Sequence, residues 1–340
     1  MALDLRSDLC SLPTEEMWQA MRAAELGWAT IGEDQSVRRL EDNAAQLLGH
    51  EQAVWVPTCG MANLAALLVH AERGDGVVLE AAAHILTSEG MAITEIAGLE
   101  PFALWASDGR LDPDRVNETF ADEGAAVLAL ENTHTRAGGT VLSVELTRVL
   151  VEVARRHGAP VHLDGARLPN AAVALGVELH ELAGDVDSVA LSLNKGLSAP
   201  FGCVLAGAGA FVERARTRLR QLGGGTVHRA GIAAAAGLVA LEGMRDRLAE
   251  DHRRAQELGA LLGEIDGLRL EPQRVETNIV LVDVTGSGCE PPQFVTALAS
   301  RGVRALERDG SRVRFVTHRL VDDDDIARAA DAAAEVVASA

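Results

Sequence analysis

The sequence has no tyrosine and only one lysine, Lys195, among its 31 basic residues. The missing tyrosine removes the phenol as a possible acid or base. Cysteine is scarce: Cys10, Cys59, Cys203 and Cys289 are scattered, with no CxxC pair. That spacing speaks against a zinc site, so no metal is expected, and it fits a reducing compartment. Long apolar runs are also missing. The smoothest, residues 230–241, is too short to cross a bilayer and reads as a buried helix. The opening residues carry Asp4, Arg6 and Asp8 without the apolar segment of a signal peptide, so a cytoplasmic location is expected. Positive charge is outweighed, 31 basic against 50 acidic residues, for a net charge of −19. Such a chain repels nucleic acid and anionic membranes. Small molecules and further copies of itself are the expected partners.

What is present is an alternation. At 340 residues the chain is long enough for about two domains. Residues 1–12 read as an extended arm. Thr14 is placed to cap a helix running from Glu15 to about Leu26, and a second helix covers residues 35–48, ended by Gly49. Apolar strand-length runs then follow at 53–57, 76–79, 125–130, 161–163, 186–193 and 202–206. Helical patterns lie at 61–72, 145–157, 166–175 and 210–222. Strands alternating with helices predict a mainly parallel, helix-covered sheet, an α/β class. One long helix is expected over about 229–262. Strands at 278–284 and 313–316, with helices near 291–300 and 323–338, predict a smaller α+β domain. The division falls at residues 1–250 and 251–340.

Several strand ends carry chemistry. Asp164 closes the apolar run Val161-His162-Leu163 and precedes Gly165 and Arg167. In open α/β sheets ligands sit at such ends, although an Asp there can simply cap the next helix. Lys195 ends the run Leu191-Ser192-Leu193-Asn194. Most lysines are solvated loop cations, but this chain uses arginine everywhere else, and arginine cannot form a Schiff base. A lysine and an aspartate on strand ends of one sheet suit pyridoxal 5'-phosphate (PLP): an amine to hold the aldehyde, and an acid for the pyridine nitrogen. Thr58-Cys59-Gly60 forms a strand–turn–helix start whose amides suit a phosphate, or merely a connection. The glycines at 223–225 lead to His228 and Arg229, which reach an anion or flank a hinge. His84 and His134 each follow a strand. Arg312 and Arg314 alternate with Val313 and Phe315, so both lie on one strand face.

Taken together these segments resemble the L-threonine aldolases of the β-eliminating-lyase group. The resemblance runs over nearly the whole chain. It takes in Leu5-Arg6-Ser7-Asp8, Gly32-Glu33-Asp34, Met61-Ala62-Asn63, Ala83-His84-Ile85, Glu131-Asn132-Thr133-His134, His162 to Arg167, Asn194 to Pro200, Thr277-Asn278-Ile279 and Arg314 to His318. It implies the aspartate-aminotransferase-like PLP fold type I and a carbon–carbon lyase. The expected reaction is reversible cleavage of an L-β-hydroxy-α-amino acid (threonine, allo-threonine or a bulkier analogue) to glycine and an aldehyde. The alternatives are β-elimination, or transfer of a glycyl unit to an unusual aldehyde. By resemblance Lys195 carries the cofactor, Asp164 meets its ring nitrogen and His84 lies over the ring. Thr58-Cys59-Gly60 stands where the family has Ser-Gly-Thr at the phosphate, and His228 or Arg229 where the family's arginine reaches a neighbouring subunit's phosphate. Arg167 sits beside cofactor and substrate. Arg314 and Ser7 hold the substrate carboxylate, and His134 lies near the hydroxyl. His84, His134 or a water is the expected base. Ile31 stands where the family has a tyrosine, and as a pocket wall it would favour apolar β-substituents. The family's sites form between subunits, which implies a homodimer or homotetramer.

Overall fold

The structure is a computed structural model, and it describes residues 2–339. Thirteen strands follow in chain order. The arm contributes β1, Leu3–Asp4. The central sheet takes β2 (Gln52–Val56), β3 (Gly76–Glu80), β4 (Glu100–Leu104), β5 (Val127–Glu131), β6 (Val161–Asp164), β7 (Ser188–Ser192) and β8 (Cys203–Gly207). The C-terminal part holds β9 (Arg269–Leu270), β10 (Ile279–Asp283), β11 (Val303–Arg304), β12 (Leu306–Asp309) and β13 (Arg312–Val316).

The seven-stranded sheet has the order β2-β8-β7-β6-β5-β3-β4. Strands β3 to β7 pair in parallel, while β8 is antiparallel to both of its neighbours. Strands β3, β5, β6, β7 and β8 are buried along their whole length, as expected when helices cover both faces. Parallel pairing brings their C-terminal ends to one edge. Register sets Glu131 beside Asp164 there, with Glu80 at the end of β3.

The expected sheet is present, and four local differences have physical causes. Strand β4 is absent from the sequence reading because Glu100 and Pro101 interrupt its apolar pattern. It lies at the sheet edge, where a proline forfeits no essential ladder bond. The helix Pro113–Glu123, also unread, has clear stops: Asp112 caps it, Pro113 opens it and Gly124 closes it at φ 66°. The first helix ends at Arg22 rather than near Leu26. The long helix of 229–262 is two, Gly231–Gly243 and Leu248–Gly263. Between them the Arg245 side chain donates to Leu241 O, a carbonyl at the end of the first helix, and Arg247 reaches forward to Asp251 in the second.

The second helix, Leu248–Gly263, joins a separate hydrophobic core. Its Ala255, Leu258 and Leu262 pack with Phe294, Leu298, Val303, Phe315 and Ile326. Strands β12-β13-β10-β9 form an antiparallel sheet over this core. The arm belongs to it as well: Leu3 and Leu5 are buried there, and β1 pairs with β11.

Candidate active site

Lys195 follows β7 in a tight turn. The Ser198 amide donates to Lys195 O (2.9 Å), and Ser198 has φ 66°, a left-handed conformation. Such backbone costs energy and persists only when its surroundings hold it. Here Ser198 Oγ lies 2.7 Å from Ser11 Oγ of the arm. Lys195 is half-buried. No hydrogen bond or ion pair joins its amine to any described residue, yet its charge acts on Asp8, Asp164 and Cys59.

Asp164, at the end of β6, is buried. Its carboxylate accepts from Asn63 Nδ2 (3.0 Å) and the Ala166 amide (3.1 Å). Burial, with Glu131 and Glu89 nearby, pushes its pKa up to about 6, against the pull of Lys195 and His84. It is a buried acid short of positive charge, so a cation placed against it would restore its ionised form.

Asn63 is fixed from behind. Its Oδ1 lies 3.0 Å from His162 Nε2, His162 Nδ1 lies 2.8 Å from Ser188 Oγ, and that hydroxyl lies 2.7 Å from His70 Nε2. Burial lowers His162 to about 3 and His70 to about 4, so both rings are neutral. Because Asn63 Nδ2 must donate to Asp164 and to Glu89 Oε1 (2.8 Å), its oxygen must accept. That places the His162 proton on Nε2 and orients every bond of the chain.

His84 opens the short helix His84–Thr87 after β3. Its Nδ1 lies 2.9 Å from Glu89 Oε1, and this bond raises its pKa against burial. The backbone amide of His84 donates to Glu131 Oε2 (2.7 Å). No described residue bonds Nε2. His134 is the opposite case. The Ala137 amide donates to its Nδ1 (3.2 Å), and its Nε2 lies 3.0 Å from Glu80 Oε2. Burial disfavours the charged ring, while Glu131 and Glu80 favour it and shift its pKa up. The amide at Nδ1 leaves the ring proton on Nε2, facing Glu80.

At the start of the helix Cys59–His70, Thr58 Oγ1 accepts from the Met61 amide (3.2 Å). The Cys59 and Gly60 amides have no partner among the described residues. A Cβ on Gly60 would meet the Glu89 carboxyl at 3.3 Å, so the cradle has little spare room. Such a helix start suits a phosphate.

Arg314 on β13 is buried. It donates Nη2 to Arg6 O (2.9 Å), while its Nε is buried without a partner. Burial, Arg167 and Arg308 lower its pKa to about 9. An unpaired buried guanidinium among other cations is a site for an anion. Arg312, on the same strand face, is paired with Asp309. Ser7 lies next to this region, its hydroxyl accepting from the Leu9 amide (3.3 Å). Arg167 is engaged already, with Asp8 through Nε and Nη2 and with Thr135 Oγ1 through Nη1 (3.0 Å).

Thus the fold gathers Lys195, Asp164, His84, His134, Arg167, Arg314, Ser7 and the Thr58–Gly60 turn at one edge. It does not bring His228, Arg229 or Ile31 there within one chain. His228 packs edge-on against Trp28 with ring centroids 6.2 Å apart, Arg229 lies exposed beside Gly27, and Ile31 is 60% exposed. Sequence reasoning gave no role to Glu89, Glu80, Asn63 or Asp8, although Asp8 and Asn63 lie inside the segments 5–8 and 61–63 that carry the resemblance. Glu89 had a local signal, an acid five residues after His84.

A family model described as beta-eliminating lyase matches residues 4–286. The chain is 37% identical to a low-specificity L-threonine aldolase 1 of Arabidopsis thaliana over 335 residues, covering 96% of this chain and 93% of that one. It is 35% identical to a low specificity L-threonine aldolase of Escherichia coli strain K12, covering 96% and 97%. Among solved structures, a putative L-allo-threonine aldolase of Listeria monocytogenes superposes with a TM-score of 0.82 at 20% identity. That match covers 98% of this chain and 96% of the other, and it shows the fold.

Proposed function

The chain belongs to the beta-eliminating lyase family, and from that premise we propose a PLP-dependent aldolase that cleaves L-β-hydroxy-α-amino acids to glycine and an aldehyde. The observation that carries the reading is the pair Lys195 and Asp164: an unpaired amine, and an acid raised to about 6 by burial and by the neighbouring Glu131 and Glu89. These residues fit the cofactor. Lys195 would carry it through its amine, Asp164 would face the ring nitrogen, His84 would lie over the ring, and the Cys59 and Gly60 amides with Thr58 would take the phosphate. When bound, PLP supplies an electron sink for the pair released from the Cα–Cβ bond.

The chain's own groups do the rest. Arg314 binds the α-carboxylate and so fixes the direction of the Cα–Cβ bond, with Ser7 alongside. Positioning of that kind selects which bond breaks. His84 Nε2, free while Glu89 holds Nδ1, takes the β-hydroxyl proton. His134, whose Nδ1 accepts from the Ala137 amide and whose Nε2 faces the Glu80 carboxylate, fixes the wall next to it rather than moving a proton.

We take the working assembly to be a homodimer or homotetramer. The exposed His228 and Arg229 then face a second copy's site, since the family's arginine at this point reaches a neighbouring subunit's phosphate, and the exposed Trp28 and Ile31 lie beside them. The four free cysteines fit a cytoplasmic enzyme. The test is a panel of hydroxyamino acids assayed for both product pairs. Glycine plus aldehyde supports the aldolase, whereas ammonia plus a keto acid identifies an eliminating lyase. Light scattering on the holoenzyme gives the assembly.

A further inference from the structure

After Arg314 takes one carboxylate, positive charge remains. The Arg308 side chain makes no hydrogen bond or ion pair with any described residue, and its Nε is buried without a partner. Its place explains its direction. Strands β12 and β13 pair Glu307 with Val313 and then Asp309 with Arg312, so Arg308 is the extra residue of a β-bulge. A bulge re-aims the side chain it carries. This one brings Arg308 among Arg136, Asp309, Glu131 and Arg167, and it is also felt by Arg314. Burial and the charge of Arg136 lower the Arg308 pKa.

Arg136 comes from the other side of the site, two residues beyond His134. It donates Nε to Thr87 Oγ1 (2.8 Å) and Nη2 to Ser88 Oγ (3.4 Å). Those two residues end the short helix that His84 begins. Arg136 is therefore tied to the side where His84 meets the β-hydroxyl, not to the carboxylate end. Arg167 is matched by Asp8, and Asp309 by Arg312. Glu131 is spent on the Thr135 and His84 amides. Asp309 is felt by both arginines, but its carboxylate is bonded to Arg312, and no ion pair joins Arg308 or Arg136 to any described residue.

We propose that Arg308 and Arg136 form a second anion site for the β-substituent, so that preferred substrates carry an acidic group, carboxylate or phosphate, on the side chain. The proposal rests on the aldolase reading and names its substrate class. The reaction balances without an added oxidant. The β-hydroxyl loses its proton to His84, the Cα–Cβ bond breaks, Cα gains a proton, and the aldehyde leaves with its acidic group. With β-hydroxyaspartate the products are glycine and glyoxylate.

The test compares β-hydroxyaspartate with threonine of matching configuration on the holoenzyme, with 4-phosphonooxythreonine as a third arm. We expect kcat/KM for at least one acidic substrate to exceed that for threonine by at least tenfold, since sites built for a polar group reject analogues lacking it. The arm that gains more identifies the anion. Arg308→Leu and Arg136→Gln should each collapse that ratio. A second readout needs no turnover: succinate should bind the wild-type holoenzyme more tightly than butyrate in calorimetry. Threonine favoured over both acidic substrates, equal losses on all substrates in Arg308→Leu, or no preference for succinate overturns the proposal. If no substrate yields glycine, the aldolase reading fails, and the succinate titration alone decides the anion site.

Discussion

Asp8 and Arg167, 159 residues apart in sequence, form a two-pronged ion pair inside the protein, with contacts of 2.8 and 2.7 Å. Asp8 also accepts from Asn278 Nδ2 (3.2 Å), next to β10. One carboxylate thus joins the arm, the large sheet and the small domain. Burial opposes its charge, but Arg167 and its bonds hold the Asp8 pKa well below the usual carboxylate range. Losing one partner of a buried pair costs about 3–5 kcal/mol. Asp8→Ala should lower the urea midpoint by a corresponding amount, while Asp4→Ala, at a half-buried residue paired with the exposed Arg6, changes it much less. Equal small shifts would show that the pair is not what joins these parts.

Asp164 predicts a pH signature. Its folded pKa of about 6 lies above the ordinary aspartate value of 3.8. Its favourable contribution is present below about pH 4 and is lost as pH rises through 6. The shift corresponds to about 3 kcal/mol. Without cofactor, Asp164→Asn should match the wild type near pH 4 and be the more stable of the two at pH 7. With PLP the order should reverse, because the ring nitrogen supplies the missing cation. Denaturation curves at both pH values, with and without PLP, check the sign.

Lys195 should be the one attachment point. Holoenzyme treated with borohydride should carry PLP on the peptide containing Lys195 and on no other. Lys195→Ala should lack the visible absorption band until an external amine is added. A band that persists in the variant without amine places the cofactor elsewhere.

Glu89 should act through His84. Its carboxylate raises the His84 pKa, and the ring must be neutral to accept a proton. Glu89→Gln should therefore move the acidic limb of the kcat/KM profile to lower pH while reducing kcat. An unmoved limb would remove His84 from the base role and return it to a bound water.

The sheet and its functional edge were readable because each signal was local. Asp164 ends the buried strand β6 and Lys195 follows the buried strand β7, and the parallel pairing of these strands brings both residues to one edge. The charged framework was not readable. Nothing near Asp8 points to Arg167, and Arg308 looks like a turn charge beside Asp309 until a bulge turns it inward. Asn63 reads as an ordinary helix residue, and only its packing against His162 and Glu89 gives it direction. Strand β4 was hidden by Pro101, which matters less at a sheet edge than the pattern suggests.

The half-buried Lys195 also has a practical consequence. Apart from an α-amine at a chain start, it is the only primary amine in the protein. Amine-directed dyes, cross-linkers and resin couplings thus find almost nothing to react with on the outer surface. They react instead at the half-buried Lys195, and only where the cofactor has not already claimed the nitrogen. Labelling stoichiometry then counts vacant sites directly, and attaching the working enzyme to a support has to go through carboxyl or thiol groups.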